Sequence, residues 1–267
     1  MVESIHKFLN PPILETVLGV QFQPLPSMQN AHLGAFWNRI AADWPNITEQ
    51  PPIELQFERF DAGGTWRRSQ FQLALTQAPP LRLQMKNCSN DRMIQVQNGR
   101  LHYNWLRKGD GQEYPHYQTI RPEFENALES FSEFVQAKQL GNVEANQWEV
   151  TYVNHLPQGT VWAVPADWAR LFPSIAMPAH APSNLSLESF GGEWHYVIPG
   201  QKGRVHVQLR HGLADKEQVL VLTLTARGPV SAEVPLTVGL DVGREAIVRA
   251  FKDLTSETAH QFWRYTP

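Results

Sequence analysis

The stretch Arg92–Arg107, RMIQVQNGRLHYNWLR, holds two alternating runs on either side of Asn98-Gly99. An Asn-Gly pair favours positive φ at both central positions of a two-residue turn. The stretch therefore predicts a β-hairpin over Arg92–Gln97 and Arg100–Arg107. Upstream, Ile13–Phe22 reads as a strand with Leu14, Thr16, Leu18, Val20 and Phe22 on one face. A helix from Asn30 to Trp44 carries the stripe Leu33, Phe36, Trp37, Ile40, Ala41 and Trp44, and Pro45 stops it. Strands follow at Glu54–Phe60, Ser69–Thr76 and Leu81–Lys86. Downstream of the hairpin, a helix is predicted over Arg121–Leu140, with Pro122 in its first turn and Gly141 as its C-cap.

The same order then recurs. A strand at Trp148–Leu156 is followed by a short helix, Ala166–Phe172. Strands come next at Leu185–Phe190, Glu193–Ile198, Arg204–His211 and Gln218–Ala226, and a helix closes the chain over Val242–Trp263. The expected fold is α+β. It has two similar β-α-β(4-5)-α helix-grip halves, 1–141 and 147–267, forming antiparallel sheets covered by long helices on one face. This order resembles the duplicated scaffold of the TATA-box-binding protein and of small-molecule-binding regulator domains. Fold order alone assigns no function.

The bulk composition narrows the classes. The 267 residues carry a net charge of −3, which argues against coating nucleic acid through overall charge. Cys88 is the one cysteine, so no intrachain disulfide forms and a reducing cytoplasm is the expected compartment. The N-terminal MVESIHKFLNPP has no apolar signal core, and no stretch approaches membrane-spanning length.

Four phrases carry a family resemblance: NPPILETVLGVQF, LHYNWLRKG with YPHYQTIRPEF, VTYVNHLP and REAIVRAFKDLTSETAHQFWR. Together the chain resembles a sporadically distributed bacterial family of conserved hypothetical proteins of about this length. The resemblance implies a bacterial or mobile-element origin. It carries over no activity, cofactor or site residue.

Alternation in the middle strands points to a polar sheet face. Leu81, Leu83 and Met85 alternate with Arg82, Gln84 and Lys86, and Val205, Val207 and Leu209 alternate with Arg204, His206, Gln208 and Arg210. Gln95 and Gln97, and Gln70 and Gln72, fall on the same side of their strands. These outward sets contain no carboxylate, although a solvated sheet gains from opposite-charge cross-strand pairs. The expected contact surface is Arg82, Gln84, Lys86, Arg204, His206, Gln208 and Arg210. A protein partner or a homo-oligomer is ranked ahead of nucleic acid on the same face. A third reading places a small-molecule or enzymatic pocket between long helix and sheet, using Tyr117, His102 and Arg121.

Chemistry-bearing motifs are few. The ten His residues include no HExxH and no closely spaced helical pair, so no metal site is expected. GxSxG, P-loop and dinucleotide patterns do not occur, so no cofactor is expected and a non-catalytic role is favoured.

Overall fold

A computed structural model describes residues 7–60, 80–109, 111–175, 185–214 and 216–266. At its centre two long strands, β2 (Ile13–Phe22) and β7 (Ala145–Pro157), lie antiparallel. On one flank β2 pairs with β6 (Arg100–Leu106), which pairs with β5 (Arg92–Gln97), then β4 (Arg82–Lys86) and β3 (Asn46–Gln50). On the other, β7 pairs with β10 (Glu217–Pro229), then β9 (Gly203–Ala214) and β8 (Gly192–Ile198). Among the described residues nine strands make one sheet in which every pairing is antiparallel. A second, two-stranded pairing joins β1 (Lys7–Phe8) to β11 (Tyr265–Thr266).

The hairpin forms where the sequence predicts it, but of its two central residues only Gly99 takes the positive φ expected of both. Gln97 pairs with Arg100 across Asn98-Gly99, and Gly99 takes a φ of 95°. The Asn98 side chain then locks the turn in place. Its Oδ1 accepts from Leu25 N at 2.8 Å and its Nδ2 donates to Leu25 O at 3.1 Å.

Helices cover one face. Among them are α1 (Asn30–Ile40), α2 (Tyr117–Ala137) and α4 (Leu236–Leu254), with shorter α3 (Trp168–Leu171) and α5 (Glu257–Phe262). Phe124 and Phe131 of α2 are wholly buried, as is Ile247 of α4. Each side chain of this size contributes about 2–3 kcal/mol on burial. No described helix is long and apolar enough to cross a membrane.

α2 starts earlier than the periodicity predicts. Thr119 and Ile120 both donate to His116 O, and buried Tyr117 and Ile120 anchor the extra turn. The predicted terminal helix is two helices. It begins at Leu236 after Pro235, and it breaks at Thr255-Ser256, where the Ser256 hydroxyl caps α5. Leu185–Phe190 is irregular, and the Ser69–Thr76 prediction, with Gln70 and Gln72, lies outside the described residues.

The start of α4 is set by close packing on one side chain. The Trp148 indole, on the helix side of β7, is wholly buried. A Cβ on Gly239 would fall 2.2 Å from Trp148 Cδ1, and one on Gly243 would fall 2.6 Å from Cζ3. Gly203 and Gly228 of the neighbouring strands approach the same ring almost as closely. Together these four glycines form a socket for one tryptophan.

Candidate functional site

The predicted strand Glu54–Phe60 joins no sheet. Residues 51–60 instead run as a strap over the face opposite the described helices, and the sheet grips that strap mainly by its backbone. Gln97 on β5 accepts from Ile53 N at 2.8 Å and donates to Ile53 O at 2.7 Å. Arg100 on β6 donates to Glu54 O at 3.1 Å. Gln21 on β2 accepts from Gln56 N at 2.8 Å, and Gln147 on β7 accepts from Glu58 N at 3.1 Å. At the far end, Arg204 on β9 donates to Arg59 O at 2.8 Å and stacks over the Phe60 ring at 4.2 Å. The partners fall in strand order, so the strap crosses the sheet from β4 towards β9. Side-chain amides supply both donors and acceptors, which lets them stand in for a neighbouring strand.

Beneath the strap lies a buried ionic layer. Glu149 of β7 accepts from Arg227 of β10 at 2.8 Å, with Arg100 at 3.5 Å and His102 Nε2 at 3.6 Å. Burial alone would raise the Glu149 pKa, but Arg227, His102 and Arg100 outweigh it and hold the carboxyl at about 2. For His102 burial dominates over the pull of Glu149 and lowers its pKa to about 4, so the ring is neutral near pH 7. Gly19 makes room for that ring, since a Cβ there would meet His102 Cδ2 at 2.7 Å.

The strap adds its own acid. Glu58 accepts from Arg204 at 2.5 Å and from His206 Nε2 at 2.7 Å, with Arg227 at 3.5 Å. Burial raises its pKa, but the bonds from His206 and Arg204 prevail and the net shift is downward. Beyond it, His206 Nδ1 lies 2.6 Å from His195 Nδ1 on β8.

These positions revise the sequence expectation. The seven predicted contact residues are not one patch. Arg82, Gln84 and Lys86 sit on β4 and the other four on β9, six strand steps away in the sheet order, or about 29 Å at the usual strand spacing. Arg82 holds Pro51 O at 3.3 Å and also Gln95, and Gln84 bonds Gln95 at 3.0 Å. Arg204 and His206 are bound to Glu58, whereas Arg210 is exposed and Lys86 and Gln208 are half-buried. The face is not free of acids either, because Glu149 comes from a central strand and Glu58 from the strap.

The alternative pocket is also not assembled. Tyr117 and Arg121 both bond Asp241 at 2.8 Å on the helix side, while His102 faces the strap on the opposite side of the sheet. Sequence reasoning missed Arg100, Gln21, Gln147, Glu149 and Arg227. The available signal was local and partial: polar residues alternate with apolar ones at Arg100, His102 and Asn104 on β6 and at Gln147, Glu149 and Thr151 on β7.

No family model matches the chain, and no curated protein matches it. A solved structure, that of DynU16 from the dynemicin biosynthetic locus, is similar at 9% identity. The match covers 90% of this chain and 97% of that one, with a TM-score of 0.24. A similarity this distant carries no argument about the site.

Proposed function

We propose that the chain is a non-catalytic binding protein that engages a protein partner through the sheet face opposite the described helices. The observation that carries this reading is the amide ladder. Gln97, Gln21 and Gln147 meet the backbone N–H groups of Ile53, Gln56 and Glu58. Groups of this kind recognise an extended polypeptide by its main chain, as added strands are recognised at sheet edges.

Charge favours protein over nucleic acid as the partner. Arg204, Arg227 and Arg100 are matched by Glu58 and Glu149. Among the described residues, this pairing takes those three arginines out of the charge open to a phosphate backbone. Among the described residues, the cavity between α4 and the sheet, bounded by Phe8, Tyr152, Asn154 and Phe251, is about 30 Å³, below the several hundred Å³ of a typical small-molecule site. Contact with the partner falls to the flanks of the face, Gln84 and Lys86 on one side and Gln208 and Arg210 on the other.

The strand order supports the finer architecture of two helix-grip halves, 1–141 and 147–267. Read outward from the β2–β7 pair, each flank takes the last strand of its half and then the earlier ones in reverse. The single Cys88 suits a reducing compartment, and we place the protein in the cytoplasm.

Affinity capture from the native host, with wild type and Lys86→Glu/Arg210→Glu in parallel, tests the reading. A protein retained by the wild type and held at least tenfold more weakly by the variant supports it. Recovery of nucleic acid that dissociates as salt rises would replace it with the nucleic-acid reading. A second copy of the chain is the alternative protein partner, favoured by exposed Tyr196 and Val197 on β8, which ends the sheet among the described residues. Sedimentation across a concentration series separates that case.

A further inference from the structure

We propose that His195 and His206 form a binding site for a divalent transition cation of the zinc, nickel or copper class. The two residues stand directly opposite one another on β8 and β9. Their rings lie 4.7 Å apart between centroids, and their Nδ1 atoms approach to 2.6 Å. Directly opposed residues on antiparallel strands have Cβ atoms about 5 Å apart. That spacing lets two imidazoles reach one point above the sheet.

The protonation pattern is set from behind. The Glu58 carboxylate accepts from His206 Nε2 at 2.7 Å, so Nε2 carries the proton and Nδ1 presents a lone pair. A carboxylate behind the distal nitrogen is the usual support of a metal-bound histidine, fixing its tautomer and raising its basicity. Here that carboxylate is buried and is itself held by Arg204 and Arg227. Without the ion, His195 Nδ1–H donates to the lone pair of His206. With it, His195 takes its other neutral tautomer and both Nδ1 atoms become ligands, with no net proton release.

The required movement is small. Tetrahedral coordination with bonds of about 2.0–2.1 Å separates two nitrogens by about 3.3 Å, so the pair opens by about 0.7 Å. His195 is half-buried on β8, which ends the sheet among the described residues. Among the described residues no third His, Cys, Asp or Glu joins the pair in a cluster suited to a metal. Imidazole nitrogens select zinc, nickel and copper over magnesium and calcium, which prefer oxygen.

Isothermal titration of the full chain with Zn²⁺, and electron paramagnetic resonance of the Cu²⁺ form, test this site. The expected result is one ion per chain, no Mg²⁺ binding, and a copper spectrum split by two imidazole nitrogens. His195→Ala and His195→Asn, each checked for an unchanged melting transition, should bind at least tenfold more weakly, while His211→Ala binds as wild type does. One-to-one binding that survives both His195 substitutions, a copper spectrum with a single nitrogen, or no Zn²⁺ binding would overturn the proposal.

Discussion

Trp148 and Glu149 are neighbours on the central strand, both shielded from solvent, and they are held by opposite physics. Trp148 points into the helices and is fixed by shape, with Gly203, Gly228, Gly239 and Gly243 leaving no room for any other arrangement. Glu149 points under the strap and is fixed by charge, through Arg227 and Arg100. A close-packed face tolerates almost no change of volume, yet it is indifferent to pH and salt. A buried ionic face tolerates shape changes better, but it fails when one partner loses its charge. One strand thus joins a rigid wall to a responsive one, and the responsive wall carries the proposed binding function.

The contrast predicts a graded series. Trp148→Ala should cost the most, about 4 kcal/mol in chemical denaturation, with the same loss at pH 7 and pH 5. Glu149→Gln should cost about 3 kcal/mol at pH 7, because Arg227 and Arg100 keep their charge without its counterpart. Its cost should shrink in acid. The folded carboxyl titrates at about 2, well below its ordinary 4.5, so its stabilisation is complete above pH 4.5 and lost as pH falls towards 2.

His102 acts over a higher window. Its folded pKa of about 4 lies below the ordinary 6.5, so the unfolded chain takes up the proton first. Stability should therefore fall as pH drops from 6.5 to 4, and His102→Gln should flatten that limb of a melting-temperature profile. Gly239→Ala should cost about 2 kcal/mol, the clash with Trp148 exceeding the gain in helix propensity. If Gly239→Ala instead stabilises the protein, the tryptophan socket is looser than described.

Much of the scaffold was legible because its signals are local. Ile13–Phe22 and Arg92–Gln97 have the bounds that their alternation predicts, and Asn98-Gly99 marks its own turn. The strap was misread for a physical reason. IELQFERF alternates as a strand does, and nothing local shows that its hydrogen-bond partners are glutamine side chains on strands far away in sequence. The start of α4 was hidden because Gly239 and Gly243 weaken a helix pattern, and their need arises only from Trp148 of another element. The contact residues were assigned to the correct strands, β4 and β9. What alternation could not supply was strand order, which places β5, β6, β2, β7 and β10 between them. Glu58 and Glu149 escaped notice for the same reason, since an ion pair separated by 78 residues, as with Glu149 and Arg227, leaves no periodic trace.

The smallest effect is the most local. Gln97→Ala should cost about 1 kcal/mol overall, the scale of the hydrogen bonds it removes. Native-state amide hydrogen exchange at Ile53, Gln56 and Glu58 reads the strap itself. All three amides should be protected in the wild type, and Gln97→Ala should release Ile53 while Glu58 stays protected by Gln147. If the three amides exchange at the rate of an open chain in the wild type, the sheet face does not hold the strap, and the proposed mode of binding goes with it.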